Sequence, residues 1–122
     1  MNLNTYQHKE IFFLYIMRGA VDYSKIIIYK IQHHLNPDIL YIGSTGNFAE
    51  RRYAHKTNSK RIMKYNIELY DMIKQNGGWE NFKMELIKPY PCKDTFELSM
   101  EIERLRHKEE MAAYVKKMSY II

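Results

Sequence analysis

Residues 25–46 read Lys-Ile-Ile-Ile-Tyr-Lys-Ile-Gln-His-His-Leu-Asn-Pro-Asp-Ile-Leu-Tyr-Ile-Gly-Ser-Thr-Gly, and the fold follows from this stretch. Lys25–Gln32 is dense in β-branched side chains (Ile26, Ile27, Ile28, Ile31), which predicts a strand. Asn36-Pro37-Asp38 is a turn signal, and Ile39–Gly43 predicts a second strand, so the two form a hairpin with a rather long connection. Gly43-Ser44-Thr45-Gly46 is expected to break that strand. Asn47 can then cap a helix, with Glu50 in the N3 position of a capping box, and the helix is expected to run to about Lys56.

Working outward, Lys64–Gln75 predicts a second helix, with Ile67, Tyr70 (or Asp71) and Lys74 at helical spacing, ended by Asn76-Gly77-Gly78. Phe82–Ile87 alternates apolar and polar with period two, a third strand with one face buried. Pro89-Tyr90-Pro91-Cys92 is a connector, and Asp94 or Thr95 opens a long final helix to about Lys117. On the N-terminal side, Thr5–Gly19 reads as a short helix, although Ile11–Ile16 also reads as a strand. The expected fold is α/β of the α+β kind: a small three-stranded mixed or antiparallel sheet flanked by helices, in the order β-β-α-α-β-α. It divides into an N-terminal helical extension (1–24), a domain (25–117) and a tail (118–122).

The chain has 122 residues, 46% hydrophobic and 27% charged, the profile of one globular domain. Its single cysteine, Cys92, excludes an internal disulfide and a Cys-rich zinc cluster. The longest apolar run, Ile11–Met17, is far short of the ~20 residues of a membrane helix, and no basic segment or cleavage site frames it as a secretory signal. These features predict a soluble intracellular protein, cytoplasmic or nuclear, with no membrane partner. No Gly-rich nucleotide loop is present, so no small-molecule cofactor is implied. His33-His34 has no Cys or carboxylate set nearby to complete a zinc site.

Charge is unevenly distributed. The net of +5 comes from residues 41–64, where Arg51, Arg52, Lys56, Lys60, Arg61 and Lys64 oppose Glu50 alone. With Tyr53 among them, these cations suit a polyanion-facing surface.

Further spacing points to a family. Ile28-Tyr29 is followed by Tyr41-Ile42-Gly43, with Ser44-Thr45 directly after. Arg51 and His55 come ten and fourteen residues beyond Tyr41, then Asn76-Gly-Gly-Trp-Glu-Asn-Phe82, then a Glu-bearing last helix. Over about Lys25–His107 this resembles the GIY-YIG nuclease superfamily, in particular the stand-alone catalytic domains of large DNA viruses. Ile27 stands where that family has Gly, and Met111–Ile122 lacks the Asn common after its last helix.

The resemblance implies a metal-dependent endonuclease that hydrolyses DNA phosphodiester bonds with little intrinsic sequence preference. A catalytically impaired nucleic-acid-binding module is the alternative. It further implies that Tyr29 activates or orients water, that Tyr41 and Arg51 steady the phosphate, and that His55 assists. One Glu of the last helix would hold one Mg²⁺ or Mn²⁺ ion.

Chemistry agrees with these residue types. Tyr29 and Tyr41 lie on adjacent strands, and a tyrosine with its usual pKa of ~10 needs nearby cations, such as Arg51 or Lys56, to act as a base. Arg51 and His55, four apart, share a helix face. Gly43 leaves room for a phosphate, the amides of Ser44, Thr45 and Gly46 lead into a helix N-terminus that suits an anion, and Arg52 and Lys56 are placed to contact the DNA backbone. Among Glu97, Glu101 and Glu103, helix geometry selects Glu101 as the metal ligand. At ~100° per residue, it falls ~60° from the stripe of Leu98, Ile102 and Leu105, whereas Glu103 falls ~140° away.

Overall fold

The computed structural model describes residues 22–61 and 67–121; the helix expected at Thr5–Gly19 and the Ile11–Met17 run lie outside the described residues. Strands β1 (Ile27–His33), β2 (Leu40–Thr45) and β3 (Phe82–Pro89) form an antiparallel sheet in the order β2-β1-β3. The central strand β1 is buried on both faces, Ile28 to one side and Tyr29 and Ile31 to the other. A strand covered on both faces needs an almost continuous apolar run, which Ile26–Ile28 supplies.

The hairpin closes where His33 N–H donates to the Ile39 carbonyl at 3.0 Å and Asp38 N–H to Asn36 Oδ1 at 3.1 Å. One expectation is corrected here. Gly43-Ser44-Thr45 does not break β2, because the apolar start of β1 offers two further pairings, Ile28 with Ser44 and Ile27 with Thr45. Both Ser44 and Thr45 are buried in the strand, and only Gly46 leaves it.

Helix α1 (Phe48–Ser59) starts as predicted: Asn47 Oδ1 accepts from Glu50 N–H at 3.1 Å. Asn47 gives its own N–H to Thr45 Oγ1, and the helix runs nearly a turn past Lys56. Helix α2 (Glu68–Gln75) begins later than Lys64, with residues 64–66 outside the described residues, and buries Leu69, Tyr70 and Ile73. Gly77 and Gly78 end it at φ of +97° and +87°, where Gly78 N–H returns to the Ile73 carbonyl. Such backbone angles favour glycine.

The alternation of β3 holds through Phe82–Glu85 and then fails, leaving Leu86 exposed. A bulge opposite Ile28 and Tyr29 is the cause: Tyr29 pairs with Leu86 but Ile28 pairs with Lys88. The extra residue sends both Ile87 and Lys88 toward the last helix, the usual effect of a bulge on side-chain direction.

Helix α3 (Thr95–Ile121) extends four residues beyond the expected Lys117, and Asp94 caps it by accepting from Glu97 N–H at 2.9 Å. Its stripe of Leu98, Ile102 and Leu105 covers Ile28, Leu40 and Ile42 on one sheet face. On the other face α1 and α2 enclose Tyr29, Ile31, Tyr41, Phe82 and Met84. Among the described residues, no helix is long and apolar enough to cross a membrane.

Candidate active site

The face under α1 and α2 carries more than packing. Tyr29 sits opposite Gly43 in the β1–β2 ladder, with the Tyr41 ring 6.3 Å from its own. A Cβ at residue 43 would lie 2.6 Å from Tyr29 Oη and 2.7 Å from the Tyr41 ring. The glycine is therefore required by the two tyrosines that converge over it. The expectation that Gly43 ends the strand is corrected: the glycine lies inside β2, and the missing Cβ makes room for the two rings.

Opposite these rings, α1 turns Phe48, Arg51, His55 and Ser59 inward at helical spacing. The His55 imidazole is fully buried. Its Nε2 lies 2.6 Å from Tyr29 Oη and its Nδ1 lies 2.9 Å from Tyr70 Oη. Asn58 Nδ2 donates to the same Tyr70 oxygen at 3.4 Å. Thus two phenols from different elements bracket one imidazole.

Burial, and after it the positive charge of Arg51, pulls His55 down to a pKa of about 3. Both effects disfavour a second ring proton, so the imidazole is neutral throughout the physiological range. Tyr29, Tyr41, Tyr70, Arg51 and Asn58 are the titratable or polar groups around it.

A pH dependence follows. The folded pKa lies below the ordinary 6.5, so between these values the unfolded chain binds a proton that the native one refuses. The contribution is complete above pH 6.5 and declines as pH falls toward 3, by up to about 1.4 kcal/mol per pH unit. Proton NMR of the His55 ring is expected to show no titration between pH 7.5 and 4.5; a midpoint near 6.5 would contradict its burial.

The remaining expected residues fall in three places. Arg51, half-buried, lies one turn before His55 and acts on it electrostatically. Arg52 and Lys56 are exposed with Tyr53 on the outer side of α1, so Lys56 does not join Arg51 beside the tyrosines. Ser44 and Thr45 lie within β2 rather than in an open loop, which removes the exposed-amide cradle as the reason for assigning them to phosphate.

Glu101 is 9% exposed, whereas the Glu103 side chain is 43% exposed and paired with Arg106; the helix-face argument separated the two. Glu101, however, is held on the α3 side of the sheet. Arg104 grips both its oxygens at 2.7 and 2.9 Å, and Lys88 bonds Oε2. Arg104 chiefly, with Lys88 adding and burial opposing, lowers its pKa to about 2. An ionised carboxylate suits a hard cation such as Mg²⁺, so the donor fits one divalent ion. Two side-chain cations already hold it. Among the described residues no group of three or more His, Cys, Asp or Glu could hold a metal, so an ion at Glu101 would take its other ligands from water and substrate.

Sequence reasoning missed Tyr70, Asn58, Lys88 and Arg104 as site residues. Tyr70 occupies an inward helical position where a phenylalanine would pack equally well, so only the hydroxyl's neighbours reveal it. Lys88 faces Glu101 because of the bulge, which has no sequence signature here.

A family model described as GIY-YIG catalytic domain matches residues 25–115. No curated protein and no solved structure gives a match.

Proposed function

Since this chain belongs to the GIY-YIG catalytic domain family, we propose that it is an endonuclease that hydrolyses DNA phosphodiester bonds with little sequence preference of its own. The observation carrying this reading is the buried Tyr29–His55 hydrogen bond over Gly43, beside Arg51. Tyr29 directs the attacking water, and His55 Nε2 accepts from the phenol, leaving the phenolic oxygen's lone pairs for that water. In the resting protein the proton stays on Tyr29, because the buried His55 imidazole disfavours a second proton. Hydrolysis needs only a transient transfer: as the water attacks phosphorus it gives a proton to the Tyr29 oxygen while the Tyr29 proton moves to His55 Nε2, so no free tyrosinate forms.

Arg51 and Tyr41 steady the phosphate; a guanidinium suits two phosphate oxygens at once and stays charged. Arg52 and Lys56, exposed on α1, hold the flanking backbone with a salt-sensitive contribution, and the residues around Gly43 border the same ground. Glu101 would hold one Mg²⁺ or Mn²⁺ ion from the α3 side of the sheet, apart from Tyr29 and Arg51, and such an ion would supply positive charge toward bound DNA. Lys88 and Arg104, which hold the carboxylate, would have to release it for that role.

Nicking of supercoiled plasmid by the wild-type protein is the test. Cleavage is expected in Mg²⁺ and is expected to vanish in EDTA. Cleavage that persists in EDTA would remove the metal from this reading, and salt-sensitive binding without cleavage would make the protein a nucleic-acid-binding module.

A further inference from the structure

The His55 ring has two nitrogens and, being neutral, one proton, so one nitrogen donates and the other accepts. Both face phenolic oxygens, Tyr29 at 2.6 Å and Tyr70 at 2.9 Å, and these oxygens can play either part. Two arrangements satisfy the chain of bonds. In one, the ring proton is on Nδ1 and goes to Tyr70, while Tyr29 donates to Nε2. In the other, every bond is reversed, Nε2–H points at Tyr29, and the ring cannot receive the Tyr29 proton. Which nitrogen carries the proton is set by the partner of the other.

We propose that the Tyr70 hydroxyl holds His55 in the Nδ1–H tautomer, making Tyr70 a positioning residue for the proton transfer at Tyr29. The inference rests on the nuclease reading, since only this tautomer leaves Nε2 able to accept from Tyr29. The neighbourhood suits it. Tyr70 is buried and comes from α2, a different element from either partner. An oxygen has two acceptor positions, enough for Asn58 Nδ2 and the imidazole N–H together. The ring of Tyr70 stacks edge-on at 5.8 Å from that of His55, so a phenylalanine would keep the packing and lose only the hydroxyl.

Long-range proton–nitrogen NMR on the wild-type protein reads the tautomer directly, with no variant required. The expected spectrum has a protonated Nδ1 and a bare Nε2; a protonated Nε2 overturns the proposal. In Tyr70→Phe the buried Nδ1–H would lose the Tyr70 oxygen as acceptor, a costly change, so the ring proton is expected to move to Nε2. Plasmid nicking by this variant is expected to show kcat about ten-fold lower with KM within two-fold. An unchanged tautomer together with an unchanged kcat refutes the role. Should the wild type prove unable to cleave DNA, the nuclease reading fails by itself, while the spectrum still decides what Tyr70 does to His55.

Discussion

Tyr29→Phe is expected to lower plasmid nicking about a thousand-fold while leaving DNA binding within a few-fold of the wild type. The variant keeps the ring that packs beside Tyr41 and over Gly43 and removes one oxygen. That oxygen links His55 Nε2 to the strand, and positioned proton transfer contributes about 10²–10⁴-fold to rates. The stability cost is smaller, on the order of 1–3 kcal/mol, because a buried imidazole nitrogen loses its partner. Circular dichroism and a melting curve separate this cost from catalysis. Binding persists because Arg51, Arg52 and Lys56 are untouched. A variant that folds and still nicks at the wild-type rate would remove Tyr29 from the chemistry.

The second large effect concerns Glu101. Glu101→Ala is expected to reduce Mg²⁺-supported nicking at least a hundred-fold, with Glu103→Ala within two-fold, since Glu103 faces outward and pairs with Arg106 of its own helix. Glu101 also ties β3 to α3 through Lys88, and a purely structural carboxylate would act differently. Its loss would lower the melting temperature without lowering the activity of the molecules that remain folded. Calorimetric titration of Mn²⁺ into the wild-type protein distinguishes the two. A single site abolished by Glu101→Ala supports the metal role, and no heat of binding with intact activity defeats it. If the ion competes with the ammonium, Lys88→Ala should strengthen Mn²⁺ binding, because an attractive cation is removed from the carboxylate.

Much of this architecture was legible in residue order. The β-branched run before Tyr29, the Asn36-Pro37-Asp38 turn, the Asn47 cap and the paired glycines at 77 and 78 each act over a few residues, so local chemistry sets them. Glu101 could be separated from Glu103 because helix periodicity is also local. The length of β2 was not legible. Gly43 reads as a breaker in isolation, but it lies mid-ladder because β1 supplies partners for Ser44 and Thr45 and because two tyrosine rings need the missing Cβ. The alternation of β3 likewise fails at a bulge that depends on how β1 pairs, and the length of α1 was misjudged by nearly a turn.

The order of residues by itself determined the elements, their sequence along the chain, the concentration of cations at 41–64, and which residues share a helix face, since strand and helix periods carry direction. Tertiary structure alone decided that Tyr70 meets the far side of His55, that Arg51 rather than Lys56 shares its surroundings, and that Lys88 and Arg104 hold Glu101 behind the sheet. The physical reason is range. Periodicity dictates which way a side chain points from its own element, whereas what it meets there is fixed by strand register and by helices packed from distant parts of the chain.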